Sequence, residues 1–239
     1  MAHQNQRVKN MATQEVKKIV YFKNPGPHNT DSVIAATKER VREGDIKHVV
    51  VASISGQTAL KVAEELKSLS VSVVCVSGFP GWVTIHDIEY PFVRGKVREA
   101  LEKLKVVIVD RMPSSLSDTL DYGLARYGYI PASWTVAETL VSVGGYGLKT
   151  AVEAILMATD YGVVPPYKDV ISMAGSDKGA DTAIVARSTY STHMFSGTAT
   201  ERFQMLEILA MPREKKWYKT IGVGGLLIKE IEKGETLGP

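Results

Sequence analysis

Short, continuous apolar runs alternate along the chain with stretches whose apolar residues recur every three or four positions. A β-rich run over residues 17–22 stops at Asn24-Pro25-Gly26-Pro27, where two prolines and a glycine force a turn. Asn29 or Thr30 then opens a helix to about Glu43, with Val33, Ile34, Thr37 and Val41 turned inward and Gly44 closing it. Residues 48–52 read as a strand covered on both faces, followed by a helix with Ala59, Val62, Ala63 and Leu66 at helical spacing. Residues 71–76 and 105–109 predict two more strands, and residues 113–129 a short helix with turns. Ser133 caps a helix through Val143, Gly144-Gly145-Tyr146-Gly147 interrupts it, and Leu148, Ala151, Val152, Ile155, Leu156 and Thr159 form the next apolar stripe. That stripe stops at Gly162 and Pro165-Pro166.

Residues 170–174 and 183–186 predict strands whose connection is too short for a helical crossover, so the second runs antiparallel. A helix is predicted over 201–209, and a short strand or hairpin over 222–231. Strands alternating with amphipathic helices imply an α/β fold with a largely parallel sheet and right-handed crossovers.

Composition narrows the class. At 239 residues and 44% hydrophobic, the chain supports one core-bearing domain, placed at residues 17–213 between a polar leader (1–16) and an extension (214–239). The net charge of +3 makes no field for polyanions, so nucleic acid is not an expected partner. The lone Cys75 lies in an apolar run and reads as a buried, quiet thiol. No signal core is visible and no stretch reads as the roughly 20 apolar residues of a membrane span. A soluble, cytoplasmic protein without a membrane partner is expected.

Candidate chemistry gathers in the loops after strands. Ser53-Ile54-Ser55-Gly56-Gln57-Thr58-Ala59 joins a buried strand to a helix. Gly56 permits close backbone approach, the helix-start amides point outward, and Ser53, Ser55 and Thr58 add hydroxyls, together a cradle for phosphate. The alternative is that Ser55 only caps the helix and Gly56 only eases the turn. Asn24, Pro25 and Gly26, then Gly78 and Phe79, then Gly175, Ser176, Lys178 and Gly179 occupy loops at the same edge, where open α/β sheets bind ligands.

The 175–179 loop lacks the Gly-Lys-Ser/Thr ending of a nucleotide triphosphatase. It offers amides and the Lys178 charge, or is an ordinary hairpin whose turn Asp181 and Thr182 fix. The aromatic loop over 78–91 is either a lid or a contact between copies of the chain. Phe79, Trp82 and Tyr146 are flat-ring partners or packing residues. His28, His48, His86 and His193 lack metal-ligand spacing. Asp87 and Glu89 read as a hydrated acidic pair, and Asp110-Arg111 as a ligand-orienting pair or an ordinary ion pair. Gly144-Gly145-Tyr146-Gly147 lacks the preceding strand that a dinucleotide fingerprint needs. No positioned acid, base or nucleophile is identifiable.

The run Val49-Val50-Val51-Ala52-Ser53-Ile54-Ser55-Gly56-Gln57-Thr58-Ala59 resembles the opening of the pyruvate kinase C-terminal domain. The chain is similar to stand-alone archaeal proteins of that fold through Lys18-Ile19-Val20-Tyr21-Phe22 with Pro25-Gly26, and Gly147-Leu148-Lys149 with Val152-Glu153. Gly179-Ala180-Asp181-Thr182-Ala183 and Met211-Pro212-Arg213 also match, while residues 80–91 and the tail after Arg213 depart. The resemblance implies a three-layer α/β/α sandwich with a mixed five-stranded sheet of order 3-2-1-4-5, its last strand antiparallel. It also implies that some relatives carry flavin mononucleotide (FMN). Pyruvate kinase activity is not expected, because the catalytic barrel is absent. The expected function is binding of a phosphorylated small molecule or flavin. A flavin-dependent oxidoreductase, an enzyme of phosphorylated metabolites and a non-catalytic regulatory module, each compatible with a homo-oligomer, are the alternatives.

Overall fold

The computed structural model describes residues 14–84, 89–116, 119–125 and 127–215. His86, Asp87, the strand or hairpin expected over 222–231, and most of the leader and extension lie outside the described residues. The protein is a mixed α/β fold. Its strands are β1 (Val20–Phe22), β2 (His48–Ala52), β3 (Ser72–Val76), β4 (Val107–Val109), β5 (Asp169–Ala174), β6 (Thr182–Arg187) and β7 (Gln204–Pro212). Its helices are α1 (Thr30–Val41), α2 (Gln57–Leu66), α3 (Gly95–Lys103), α4 (Thr119–Ala125) and α5 (Ala132–Asp160).

The sheet has seven strands in the order β1-β7-β6-β5-β2-β3-β4, which corrects the expected five strands and their order. β6 is antiparallel to both its neighbours, and every other pairing is parallel. β6 is therefore not the last strand of the sheet: β7 and β1 continue beyond it. The helix predicted over 201–209 is instead most of β7. Its residues are helix-friendly one by one, but pairing with β6 on one side and β1 on the other satisfies backbone groups that a helix there would leave open.

Period-2 alternation divides the buried side chains between two faces. Val49, Val51 and Cys75 meet Val33 and Ile34 of α1, Val62 and Leu66 of α2, and Leu101 of α3. Val50, Val74, Val170 and Ile184 meet Leu148, Val152 and Ile155 of α5. Each such side chain contributes about 1.5–3 kcal/mol by leaving water. α5 is two helical stretches joined at Gly145, whose φ of 82° and ψ of 175° are non-helical, matching the interruption read at residues 144–147. By length and composition α5 is apolar enough to cross a membrane, contrary to the reading from sequence, yet 67% of its most apolar window is buried in this fold.

Candidate functional site

Because six strands run one way, the ends of β1, β2, β3, β4, β5 and β7 share one edge of the sheet with the start of β6. The expected site residues all fall at this edge, but the fold divides them between its two sides. The chain leaves β2 toward β3 and β4 on one flank, and β5 lies on the other, so the switch point is between β2 and β5.

The turn after β2 differs from the expected open cradle. The Ser53 amide donates to the Val76 carbonyl at 2.9 Å, and the Gly56 amide to the Ser53 carbonyl at 3.2 Å. Ser77 Oγ donates to the Ile54 carbonyl at 2.6 Å. Gly56 has φ 80°, and a Cβ there would stand 2.9–3.0 Å from side-chain carbons of Val93, Leu101 and Val97. The absent side chain is thus space taken by α3 and the segment before it, not space for a ligand. Ser55 is exposed, but no side chain caps α2 among the described residues. Ala59 is fully buried in the core. Gln57 and Thr58 are what remains open, on a cleft of about 380 Å³ that Pro27, Thr30, Lys61 and Gly179 also line. Lys61 is paired with Asp31, so Glu64, which also lines the cleft, leaves it slightly acidic.

The other wall of the cleft is a stapled pair of loops. Asp181 is fully buried, and its Oδ2 accepts from the amides of Gly26 and Ser176, both at 3.1 Å. Its Oδ1 accepts from Thr182 Oγ1 at 2.9 Å. Thr30 Oγ1 accepts from the Ala180 amide at 3.0 Å and donates to the Pro27 carbonyl at 2.7 Å. Asn29 Nδ2 donates to the Asn24 carbonyl at 2.8 Å, and Pro25 is half-buried beside it. Gly179 lies against Thr30 and Pro27, and Gly175 against the Gly179 carbonyl, with no room for a Cβ at either. The amides of Gly26 and Ser176, two of the expected site residues, therefore serve Asp181. Lys178 is exposed.

Gly78 and Phe79 belong to the α5 side of the edge. Phe79 is buried and packs on Trp82, centroids 6.1 Å apart, while Trp82 meets Phe92 edge-on at 6.5 Å. The side chains of Phe92 and Trp82 fill the space beside Gly78. The adjoining cavity, lined by Ile54, Phe79, Trp82, Glu153 and Met157, measures about 40 Å³, too small for a flavin ring. These aromatics act as packing here. Glu153, unexpected among the apolar positions of α5, accepts from Ser114 Oγ and from the Leu116 amide at 3.3 Å, and pairs with Lys149 at 2.6 Å. It fixes the segment after β4 to α5. A lone acid inside an apolar helical stripe was the visible signal for it.

Other candidates resolve simply. Asp110 is buried and pairs with Arg98 rather than Arg111. Burial pushes the Cys75 thiol up to about 12, with Asp110 adding to the rise, so the thiol is inert in the fold. Burial lowers the pKa of the His48 imidazole. Among the described residues, no cluster of three or more His, Cys, Asp or Glu is arranged to hold a metal.

A larger cavity, about 730 Å³, lies far along the sheet between α1, β7 and the chain entering β1. Arg40 sits there with both oxygens of Glu207 and with Asp45, and Lys17 joins Glu43 and Glu207. Its charges are spent on one another. No family model matches the chain.

Proposed function

We propose that the protein binds a phosphate-bearing small ligand in the cleft at the start of α2, with FMN the first candidate. The observation that carries this reading is the meeting of the uncapped start of α2, at Gln57 and Thr58, with Pro27, Thr30 and Gly179 around about 380 Å³. Unsatisfied helix-start amides and the helix dipole favour an anion, and the volume falls within the roughly 300–1,000 Å³ of small-molecule sites. With Lys61 spent on Asp31 and Glu64 adding an acid, the amides rather than net charge supply the preference. The phosphate end of FMN suits this cleft. Among the described residues its ring finds no aromatic platform there, because Phe79 and Trp82 pack on the opposite side of the edge. The pyruvate-kinase-C-terminal-like resemblance supports the choice of FMN as probe and nothing more specific.

Thr58→Asp is the decisive variant. An acid in the first turn favours the helix by about 0.3–1 kcal/mol, while its charge faces the cleft and repels an anion. Affinity for FMN and inorganic phosphate, followed by flavin fluorescence and NMR titration, falls at least about tenfold while the melting temperature holds or rises. Unchanged affinity defeats the site. A wild-type protein that binds phosphate but not FMN defeats only the flavin.

A further inference from the structure

Asp181 is completely buried at the seam of four segments: the turn after β1, the β5–β6 hairpin, the kink of α5 and the segment after β7. From the first two it accepts the Gly26 and Ser176 amides. At the third, a Cβ on Gly147 would stand 2.8 Å from Asp181 Oδ1, and only a glycine lets the second stretch of α5 begin so close. That stretch starts beside the carboxylate after the non-helical Gly145, so its positive end faces a buried anion. At the fourth, Lys215 lies along Gly145 and donates to the Pro212 carbonyl at 2.5 Å; burial lowers its pKa, and the Asp181 charge opposes that only in part. A carboxylate with no exposure is costly unless its oxygens are satisfied, and here amides, a hydroxyl and a helix start satisfy it.

We infer that Asp181, unable to touch any ligand, is the positioning residue of the cleft, an internal anion that draws the Gly26 turn and the Gly175–Gly179 hairpin into one wall. Its functional meaning rests on the binding reading above. Pro27 and Gly179 line the cleft, and each lies within three residues of a group that Asp181 or Thr30 holds. Two fasteners therefore act on the same wall. Asp181 holds Gly26 and Ser176 from inside, and Thr30 holds Ala180 and Pro27 from the cleft side. Only the first depends on charge.

This separation gives the test. Asp181→Asn keeps an acceptor oxygen for both amides but removes the charge that makes such bonds roughly twice as strong. Amide hydrogen exchange, read residue by residue by NMR, is expected to quicken about tenfold at Gly26 and Ser176 while Ala180, held by the neutral Thr30 hydroxyl, keeps its rate. Asp181→Ala removes the acceptors as well and is expected to lower FMN or phosphate affinity at least about tenfold, with Asp181→Asn restoring it to within about threefold. Wild-type exchange rates at Gly26 and Ser176 in Asp181→Asn overturn the inference. So does equal acceleration of every amide including Ala180, which marks general loosening. If wild-type protein binds neither FMN nor phosphate, the ligand reading falls, and the exchange pattern by itself decides whether Asp181 builds the wall.

Discussion

Substituting Gly56 by alanine separates packing from binding, and the fold supplies its own control. Gly56 and Gly44 both sit in the left-handed region, at φ 80° and 91°. An alanine in that region costs about 1–2 kcal/mol at either position. Around Gly44 nothing lies within 4 Å of an added Cβ, whereas at Gly56 it would press at 2.9–3.0 Å on Val93, Leu101 and Val97. Overpacking of that kind adds about 1–3 kcal/mol, since the neighbours are side-chain carbons that can yield in part. Gly44→Ala should therefore cost about 1–2 kcal/mol and Gly56→Ala about 2–5. At roughly 2–4 °C of melting temperature per kcal/mol for a chain this long, a 3 kcal/mol loss lowers the midpoint by about 6–12 °C. Thermal unfolding followed by circular dichroism, with urea titrations of both variants, measures the difference. If Gly56→Ala is no less stable than Gly44→Ala, the packing argument is wrong and the glycine is there for a ligand.

Two further predictions concern the ion network beside β7. Arg40→Lys keeps the charge but loses the fork that reaches Asp45 and Glu207 together, and should lower the urea-derived stability by about 1–2 kcal/mol; an unchanged midpoint refutes it. The Arg40 hydrogen bond holds the Asp45 carboxyl down to about 2 from its ordinary 3.8. A depressed carboxylate stabilises the fold above its unfolded value and loses that contribution as pH falls through its folded value, so the loss falls between about pH 4 and pH 2. With the Asp45 side chain 57% exposed, the contribution is discounted for solvent to roughly 1 kcal/mol. Glu207, whose pKa burial raises but Arg40 and Lys17 lower further, gives the same sign. The acid dependence of Asp45→Asn should be shallower than wild type across that window, and identical slopes refute the assignment.

Local pattern made most of the elements legible. The apolar runs at 48–52 and 71–76, the stripe on α5 and the break at its glycines are properties of neighbouring residues, and the fold keeps them. The short β5–β6 connection likewise required an antiparallel pair. What escaped was non-local. Residues 204–209 carry no strand signal strong enough to offset their helix-forming side chains, and only the empty places beside β6 and β1 make them a strand. Gly56 invited a ligand because the turn alone does not say that Val97 and Leu101 will arrive from α3 and Val93 from the segment before it. Phe79 and Trp82 were visible as aromatics, but their packing on one another and on Phe92 was not.

The same logic explains why the strand-end loops mislead when read one at a time. A glycine-rich loop advertises free amides, and sequence has no means of saying which anion they meet. Here the amides of Gly26 and Ser176 meet Asp181, a carboxylate from the same chain lying where the second stretch of α5 begins. An internal anion competes with an external one for donors and also repels it. On the binding reading proposed above, a phosphate is turned away from the hairpin seam and toward the start of α2, where among the described residues no carboxylate caps the helix. The open helix start then sets that end of the edge apart, and a ligand seated instead on the Ser176 amide would have to displace the carboxylate that holds the wall together.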